Sequence, residues 1–212
     1  MNRIIVGLLA AFMAILLPGC DDESTEIKEV WESYETAREA GNAEGVIAVC
    51  DPKNIEHFGE LVELAKYADR TTLVRLDPVD RLNVLALRYT KKPDELRAMT
   101  GLSMAKEQYS RATGPFGGDF PITLGKISVR PPRAYAEMLV DGETTGLKLE
   151  FLKSNDVWRV DLRGEDKIFT WLLEKVAHAR NKNLDDLITK LAADMTGNMV
   201  SGKVWDAPLK KP

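Results

Sequence analysis

The chain has 212 residues, of which 44% are hydrophobic and 29% are charged, and its formal net charge at pH 7 is −4. The length lies at the upper end of a single domain and is sufficient to bury a substantial core. The mildly acidic balance argues against nucleic acid as a partner, because contact with a phosphate backbone calls for a basic surface.

The first 19 residues have the three-part organisation of an export signal. Arg3 is followed by an apolar run over residues 4–17, and small residues precede a potential cleavage point. A membrane-spanning helix needs roughly 20 apolar residues, and this run is shorter and ends at Pro18. We therefore expect residues 1–19 to be a cleaved signal peptide.

The end of this signal, Leu17-Pro18-Gly19-Cys20, resembles the lipobox of bacterial lipoproteins. The resemblance implies that the Cys20 thiol becomes a diacylglyceryl thioether and, after cleavage, the first residue of the mature chain. Two or three acyl chains bind a bilayer stably, so the expected partner is a membrane, with the domain facing the periplasm or the exterior. Asp21 resembles the signal that retains lipoproteins in the inner membrane. An ordinary secretory peptide with an incidental cysteine is the alternative.

The mature chain is expected to begin with a lipidated polar tether, residues 20–25, followed by a single domain, residues 26–212. If Cys20 carries lipid, Cys50 has no partner for an internal disulfide. Cys50 follows the apolar stretch 46–49, so it is expected to be buried as a small hydrophobic residue.

The residues after the tether predict helices. Apolar side chains recur every three or four residues from Ile27 to about Gly41, and a second helix is expected over about 43–49. Asp51-Pro52 and Asp77-Pro78 resemble helix N-caps followed by proline at the first helical position. A weaker helical region runs from Pro93 to about residue 112, and residues 71–76 fit either a strand or a helix.

After residue 114 the alternation of apolar and polar residues predicts strands over 122–129, 133–140, 145–153 and 157–162. The prolines Pro131-Pro132 predict a wide connection between the first two strands. Helices follow over about 168–176 and 184–195, with Val204 and Trp205 docking on the domain. The predicted fold class is α+β: N-terminal helices, a four-stranded antiparallel sheet, then C-terminal helices.

The register of the sheet follows from its turns. If Asp141-Gly142 forms a two-residue hairpin loop, Ala136 faces Leu147 and Ala134 faces Leu149. If Asn155-Asp156 closes the next hairpin, Phe151 faces Val160 and Leu149 faces Leu162. Both turns then agree on one apolar face, made by Ala134, Ala136, Met138, Val140, Leu147, Leu149, Phe151, Trp158, Val160 and Leu162.

Residues 31–43, in which Gly41-Asn42 separates an aromatic first helix from a short second helix, and a late antiparallel meander over 133–162 resemble the NTF2-like superfamily. The resemblance implies a curved sheet around a helix, with an apolar cavity that some members use for catalysis and others for binding. The candidate pocket residues are Trp31, Tyr34, Phe151 and Trp158. Plain core packing is the alternative for this face.

Few residues of the sequence indicate catalytic chemistry. His57 and His178 lie on different predicted helices without metal-binding spacing, so each is expected at the surface or at a cap, and no metal site or cofactor is predicted. The apolar sheet face carries no acid, which favours binding over catalysis.

Three hypotheses follow. The first is an anchored, non-catalytic domain that binds an envelope protein or a small apolar ligand. The second is a small isomerase or dehydratase that uses general acid/base chemistry, which a cavity with Tyr34 beside a carboxylate or histidine would favour. The third is an assembly factor with an exposed apolar patch such as Trp205.

Overall fold

The structure, a computed structural model, describes residues 20–111 and 122–211. Within these residues the helices precede and follow one sheet. The helices are α1 Cys20–Glu39, α2 Ala43–Val49, α3 Pro52–Tyr67, α4 Arg70–Leu73, α5 Pro78–Thr90, α6 Pro93–Ala98, α7 Gly101–Tyr109, α8 Arg163–Ala179 and α9 Leu184–Thr196, and the strands are β1 Ile122–Arg130, β2 Arg133–Val140, β3 Glu143–Ser154 and β4 Val157–Asp161.

The α+β class is confirmed, with an antiparallel sheet in the order β1-β2-β3-β4 between N-terminal and C-terminal helices. Residues 71–76 contribute to a short helix and not to a strand. The region from Pro93 contains two helices, because Thr100 caps a new helix by accepting a hydrogen bond from the Ser103 amide.

The register is confirmed at both turns and shifts within the second hairpin. Val140 pairs with Glu143 and Leu139 with Thr144, as the Asp141-Gly142 loop predicts, but further along Ala136 pairs with Leu149 instead of Leu147. Two additional residues of β3 cause the shift, and Gly146 there has a φ of +74°. Because the shift is two residues, each side chain stays on its predicted face.

The same shift makes Ala134 pair with Phe151, so the predicted pair with Leu149 is wrong. Phe151 pairs with Val160 as predicted. The pair between Leu149 and Leu162 does not form, because β4 ends at Asp161. The ten residues of the predicted apolar face are nevertheless all buried in, or packed against, one core cluster with α1.

The connection between β1 and β2 corrects another prediction. Arg130 pairs with Arg133, so Pro131 and Pro132 alone make the turn, and the peptide bond between them is cis. The prediction of a wide connection considered only the positive φ angles of the usual tight turns, which proline cannot adopt. A cis proline provides a different tight reversal.

A second core cluster lies among α3, α5, α6, α7 and α9. Trp205 belongs to it with 3% of its surface exposed, and its indole N–H donates to Thr189 Oγ1 at 3.1 Å. The predicted docking of Val204 and Trp205 is therefore confirmed, and Trp205 does not form an exposed patch. Cys50 is buried in the first cluster, as predicted.

The expected signal peptide, residues 1–19, lies outside the described residues. The residues of the expected tether are helical, because α1 begins at Cys20. Glu23, in the first turns of α1, forms an ion pair with Lys153 at 2.9 Å. Among the described residues, no helix is both long enough and apolar enough to cross a membrane.

Candidate functional site at the junction of α1, α3, α5 and α8

Local hydrogen bonds fix the start of α3 against the end of the sheet. The Asp51 carboxylate accepts from the Lys53 amide at 2.9 Å and caps the helix, with Pro52 at its first position. The buried Asn54 side chain donates to Val160 O at 3.3 Å and accepts from the Leu162 N–H at 3.0 Å. These bonds set the position of His57, one turn further along α3.

Gly164 allows α8 to approach β3 closely. A Cβ atom at this residue would lie 3.0 Å from a methyl carbon of Leu149 and 3.1 Å from the carbonyl oxygen of Lys148. The close approach directs the first turn of α8, with Glu165 and Asp166, toward α1 and α3. Acidic side chains suit this position because the amino end of a helix carries partial positive charge.

The junction encloses a cavity of about 90 Å³. The Tyr34 hydroxyl on α1 donates to Glu165 Oε2 at 2.9 Å. Glu165 is only 8% exposed, and its Oε1 has no hydrogen-bond partner among the described residues. The polar residues lining the cavity are Tyr34, Arg38, Asn54, His57, Asn83, Gln108, Tyr109, Arg111, Arg163, Glu165 and Asp166.

A histidine and two aspartates form the outer end of this site. His57 Nε2 lies 2.9 Å from Asp80 Oδ1, and the two side chains are 20% and 18% exposed. One nitrogen of His57 and one carboxylate oxygen each of Asp80 and Asp166 lie within 4.8 Å of one another. All three residues line an open groove of about 830 Å³, and His57 and Asp166 line both this groove and the cavity.

Burial changes the acidity of these groups. Desolvation raises the pKa of Glu165 from 4.5 to about 7, partly opposed by Arg38 and by the hydrogen bond from Tyr34. Desolvation, reinforced by the charges of Asp80 and Glu165, raises the pKa of Asp166 from 3.8 to about 7. The hydrogen bond with Asp80 raises the pKa of His57 despite its burial.

The only described basic side chain that pairs with an acid of the site is His57, at Asp80. Within the described part of the chain, no lysine or arginine forms an ion pair with Asp80, Asp166 or Glu165. The Asp166 side chain also accepts no hydrogen bond from a described residue. The arrangement can therefore accept a proton, a hydrogen-bond donor or a cation.

The four predicted pocket residues have different places. Tyr34 lines the cavity, whereas Trp31, Phe151 and Trp158 pack in the first core cluster and do not line it. Trp31 contacts Tyr34 with ring centroids 5.0 Å apart, so it supports the tyrosine from behind.

Sequence reasoning missed most of the site. His57 was expected at the surface or at a cap, but it pairs with Asp80 across two helices. Glu165 and Asp166 were not singled out, because the search for acids covered the apolar strand face and not the following helix. A glycine three residues after the last strand, followed by two acids in the first turn of a helix, was the available signal.

Comparison with known proteins gives no relative: no family model, curated protein or solved structure matches this chain. The evidence for a function therefore comes from the residues of the site.

Proposed function

We propose that this chain is a lipoprotein of the bacterial cell envelope, anchored in a membrane through acylated Cys20, and that its domain binds a small polar ligand without catalysing a reaction. The export signal and the lipobox-like sequence support the anchor. The ligand is one that carries N–H or O–H donors, and it binds in the cavity beside Glu165.

The observation that carries the binding proposal is the lone oxygen of Glu165. A buried acceptor without a donor costs about 1–3 kcal/mol, and more when it is charged. A ligand that donates to Glu165 Oε1 offsets this cost. This oxygen lies at a cavity lined by further polar side chains.

The size of the cavity restricts the ligand. Pockets for drug-sized molecules occupy roughly 300–1,000 Å³, and this cavity occupies about 90 Å³. A ligand of a few non-hydrogen atoms fits, and the polar lining favours an amine or a hydroxylated molecule over the small apolar ligand that the sequence led us to expect.

Thermal unfolding with a panel of small donors tests the binding proposal. The probes are ammonium, methylammonium, guanidinium and ethanolamine at millimolar concentration. A ligand present at 100 times its Kd stabilises by about 2.7 kcal/mol, which corresponds to roughly 5–10 °C for a chain of this length. We expect Glu165→Gln to abolish the shift and Glu174→Gln, an exposed acid on the same helix, to retain it; a shift that Glu165→Gln leaves intact would contradict the proposal.

Mass spectrometry of the protein from its native envelope tests the anchor. We expect a chain that begins at Cys20 and carries two or three acyl chains. Cys20→Ser should release the protein from the membrane fraction, and Cys50→Ser should not. A mature chain that begins at residue 21 or later, or an intact Met1, would contradict the proposal.

A second candidate function is general acid/base catalysis, favoured by the hydrogen bond between Tyr34 and the buried Glu165. A tyrosine beside a buried carboxyl group suits proton transfer next to a carbonyl group. Solvent exchange of pyruvate and acetone in D₂O, followed by NMR, tests it. Exchange above background that is lost in Glu165→Gln would support catalysis, and equal exchange in both proteins would contradict it.

A further inference from the structure

The outer end of the junction has the composition of a metal centre. His57, Asp80 and Asp166 offer one nitrogen and two carboxylate oxygens, and these three atoms lie within 4.8 Å of one another. They come from α3, α5 and α8, so the pattern is invisible in the sequence. We propose that these three residues bind a divalent transition-metal ion, beside the cavity that holds the small donor molecule; this inference rests on the proposed binding function of the junction.

The surroundings supply the independent reason to expect a cation. Glu165 is more than nine-tenths buried, lines the same cavity as His57 and Asp166, and has an oxygen without a partner among the described residues. Asp166 receives no hydrogen bond from a described residue, and Asp80 receives only that of His57. Two carboxylates thus lie beside a single imidazole, with the partly unpaired Glu165 in the adjoining cavity, and a divalent cation can bind between the two carboxylates and the imidazole.

The spacing is close to that of a bound ion. Zinc binds histidine nitrogen at about 2.0–2.1 Å and carboxylate oxygen at about 2.0–2.2 Å, which at the tetrahedral angle places adjacent ligand atoms about 3.3–3.5 Å apart. His57 Nε2 and Asp80 Oδ1 are 2.9 Å apart. An Asp166 carboxylate oxygen lies within 4.8 Å of a ligand atom of each of these two residues.

The second nitrogen of His57 also suits this role. Nδ1 lies 3.7 Å from Glu60 Oε2 on the next turn of α3. A carboxylate behind a metal-bound imidazole fixes the orientation of the ring and increases the basicity of the ligating nitrogen. Glu60 lies near this position, at a distance longer than a hydrogen bond.

The ligand types select the class of ion. Imidazole suits zinc and iron, and carboxylates suit manganese and magnesium. Three protein ligands leave coordination positions for water, as in open metal sites. The three residues line the groove of about 830 Å³, so a molecule in the groove would reach an ion that they held.

Calorimetric titration of ZnCl₂ into the full chain, purified in detergent and stripped with EDTA, tests the inference. We expect one ion per chain. The His57→Gln variant keeps a donor for Asp80. Loss of an outer carboxylate typically weakens metal binding about 10–100-fold, so loss of a direct ligand in His57→Gln or Asp166→Asn should weaken it by more than about 100-fold. His178→Gln and Asp186→Asn, on exposed positions of α8 and α9, are the matched controls and should bind as the unsubstituted chain does.

Circular dichroism melts establish that each variant is folded, and the electron paramagnetic resonance signal of Mn²⁺ provides a second readout. Absence of binding at 1 mM Zn²⁺ and Mn²⁺, or equal affinity in the His57 and Asp166 variants and the controls, would overturn the metal site. If no metal ion binds but a small amine stabilises the protein through Glu165, only the metal inference fails. If neither ion nor amine binds, the proposed function fails as well.

Discussion

Tyr34 and Glu165 are separated by 131 positions in the chain, yet the hydroxyl of one donates to the buried carboxyl group of the other at 2.9 Å. This bond connects the first long helix to the first turn of α8. It places an acid in the interior with only one of its two oxygens paired among the described residues.

Removal of the tyrosine hydroxyl tests this bond. Tyr34→Phe leaves both oxygens of Glu165 without a donor, so we expect a loss of about 1–3 kcal/mol in the free energy of unfolding at pH 8. Tyr135→Phe is the matched control, because the Tyr135 hydroxyl contacts the half-buried Glu150 at 3.2 Å. Urea denaturation measures the free energy of unfolding of both variants. Equal losses would contradict a larger cost of leaving the buried Glu165 without a donor.

The stability of the protein should depend on pH through Glu165. The folded-state pKa of about 7 lies above the unfolded value of 4.5, so the protonated acid favours folding and this contribution is lost as pH rises from 4.5 through 7. The loss is on the order of 3 kcal/mol.

Other acids also make stability depend on pH, because the pKa of Asp166 is raised and that of Asp161 is lowered. The comparison of Glu165→Gln with the unsubstituted chain isolates the contribution of Glu165. Urea titrations in EDTA between pH 5 and pH 8 should show a smaller decline for the variant. Parallel curves for the two proteins would contradict a raised pKa of Glu165.

Arg88 should be essential for the packing of residues 202–206, the C-terminal tail, against the helices. Its guanidinium donates to the carbonyl oxygens of Leu64, Ala65 and Ala68 at the end of α3 and to those of Val204 and Trp205. An ammonium group cannot reproduce five donors in a planar fork, so we expect Arg88→Lys to cost about 3 kcal/mol.

The control for this prediction is Arg97→Lys, an exposed residue paired with Asp94, which should change stability by less than about 0.5 kcal/mol. Hydrogen exchange should also accelerate at residues 202–206 in Arg88→Lys. An unchanged exchange rate there would mean that the tail docks without the arginine.

The shift of register in the second hairpin depends on Gly146, whose φ is +74°. A Cβ atom added at either Gly146 or Gly202 would have no other heavy atom within 4 Å, and of the two only Gly146 has a positive φ. We expect Gly146→Ala to cost about 1 kcal/mol through backbone strain and Gly202→Ala to be nearly neutral. Equal thermal midpoints would contradict the bulge.

The elements were predictable because their signals are local. Asp51-Pro52 and Asp141-Gly142 act through neighbouring backbone groups, so the start of α3 and the turn between β2 and β3 follow from a few residues. The two extra residues of β3 did not follow, since a bulge preserves the alternation of side chains.

The site was not predictable because its members meet only in the folded chain. His57 and Asp80 are 23 residues apart and lie on different helices, and nothing in either local sequence indicates their contact. Tyr34 was identified as a polar group near the apolar face, but its partner follows the sheet and required knowledge of where α8 packs.

The most direct test of a ligand site at this junction is the electron density beside Glu165 in crystals of the protein purified from its own envelope. The account predicts a bound group, not contributed by the protein, within hydrogen-bond distance of Oε1 or held by His57, Asp80 and Asp166. A protein donor bonded to Oε1, with nothing bound in the cavity or at the three ligands, would contradict it.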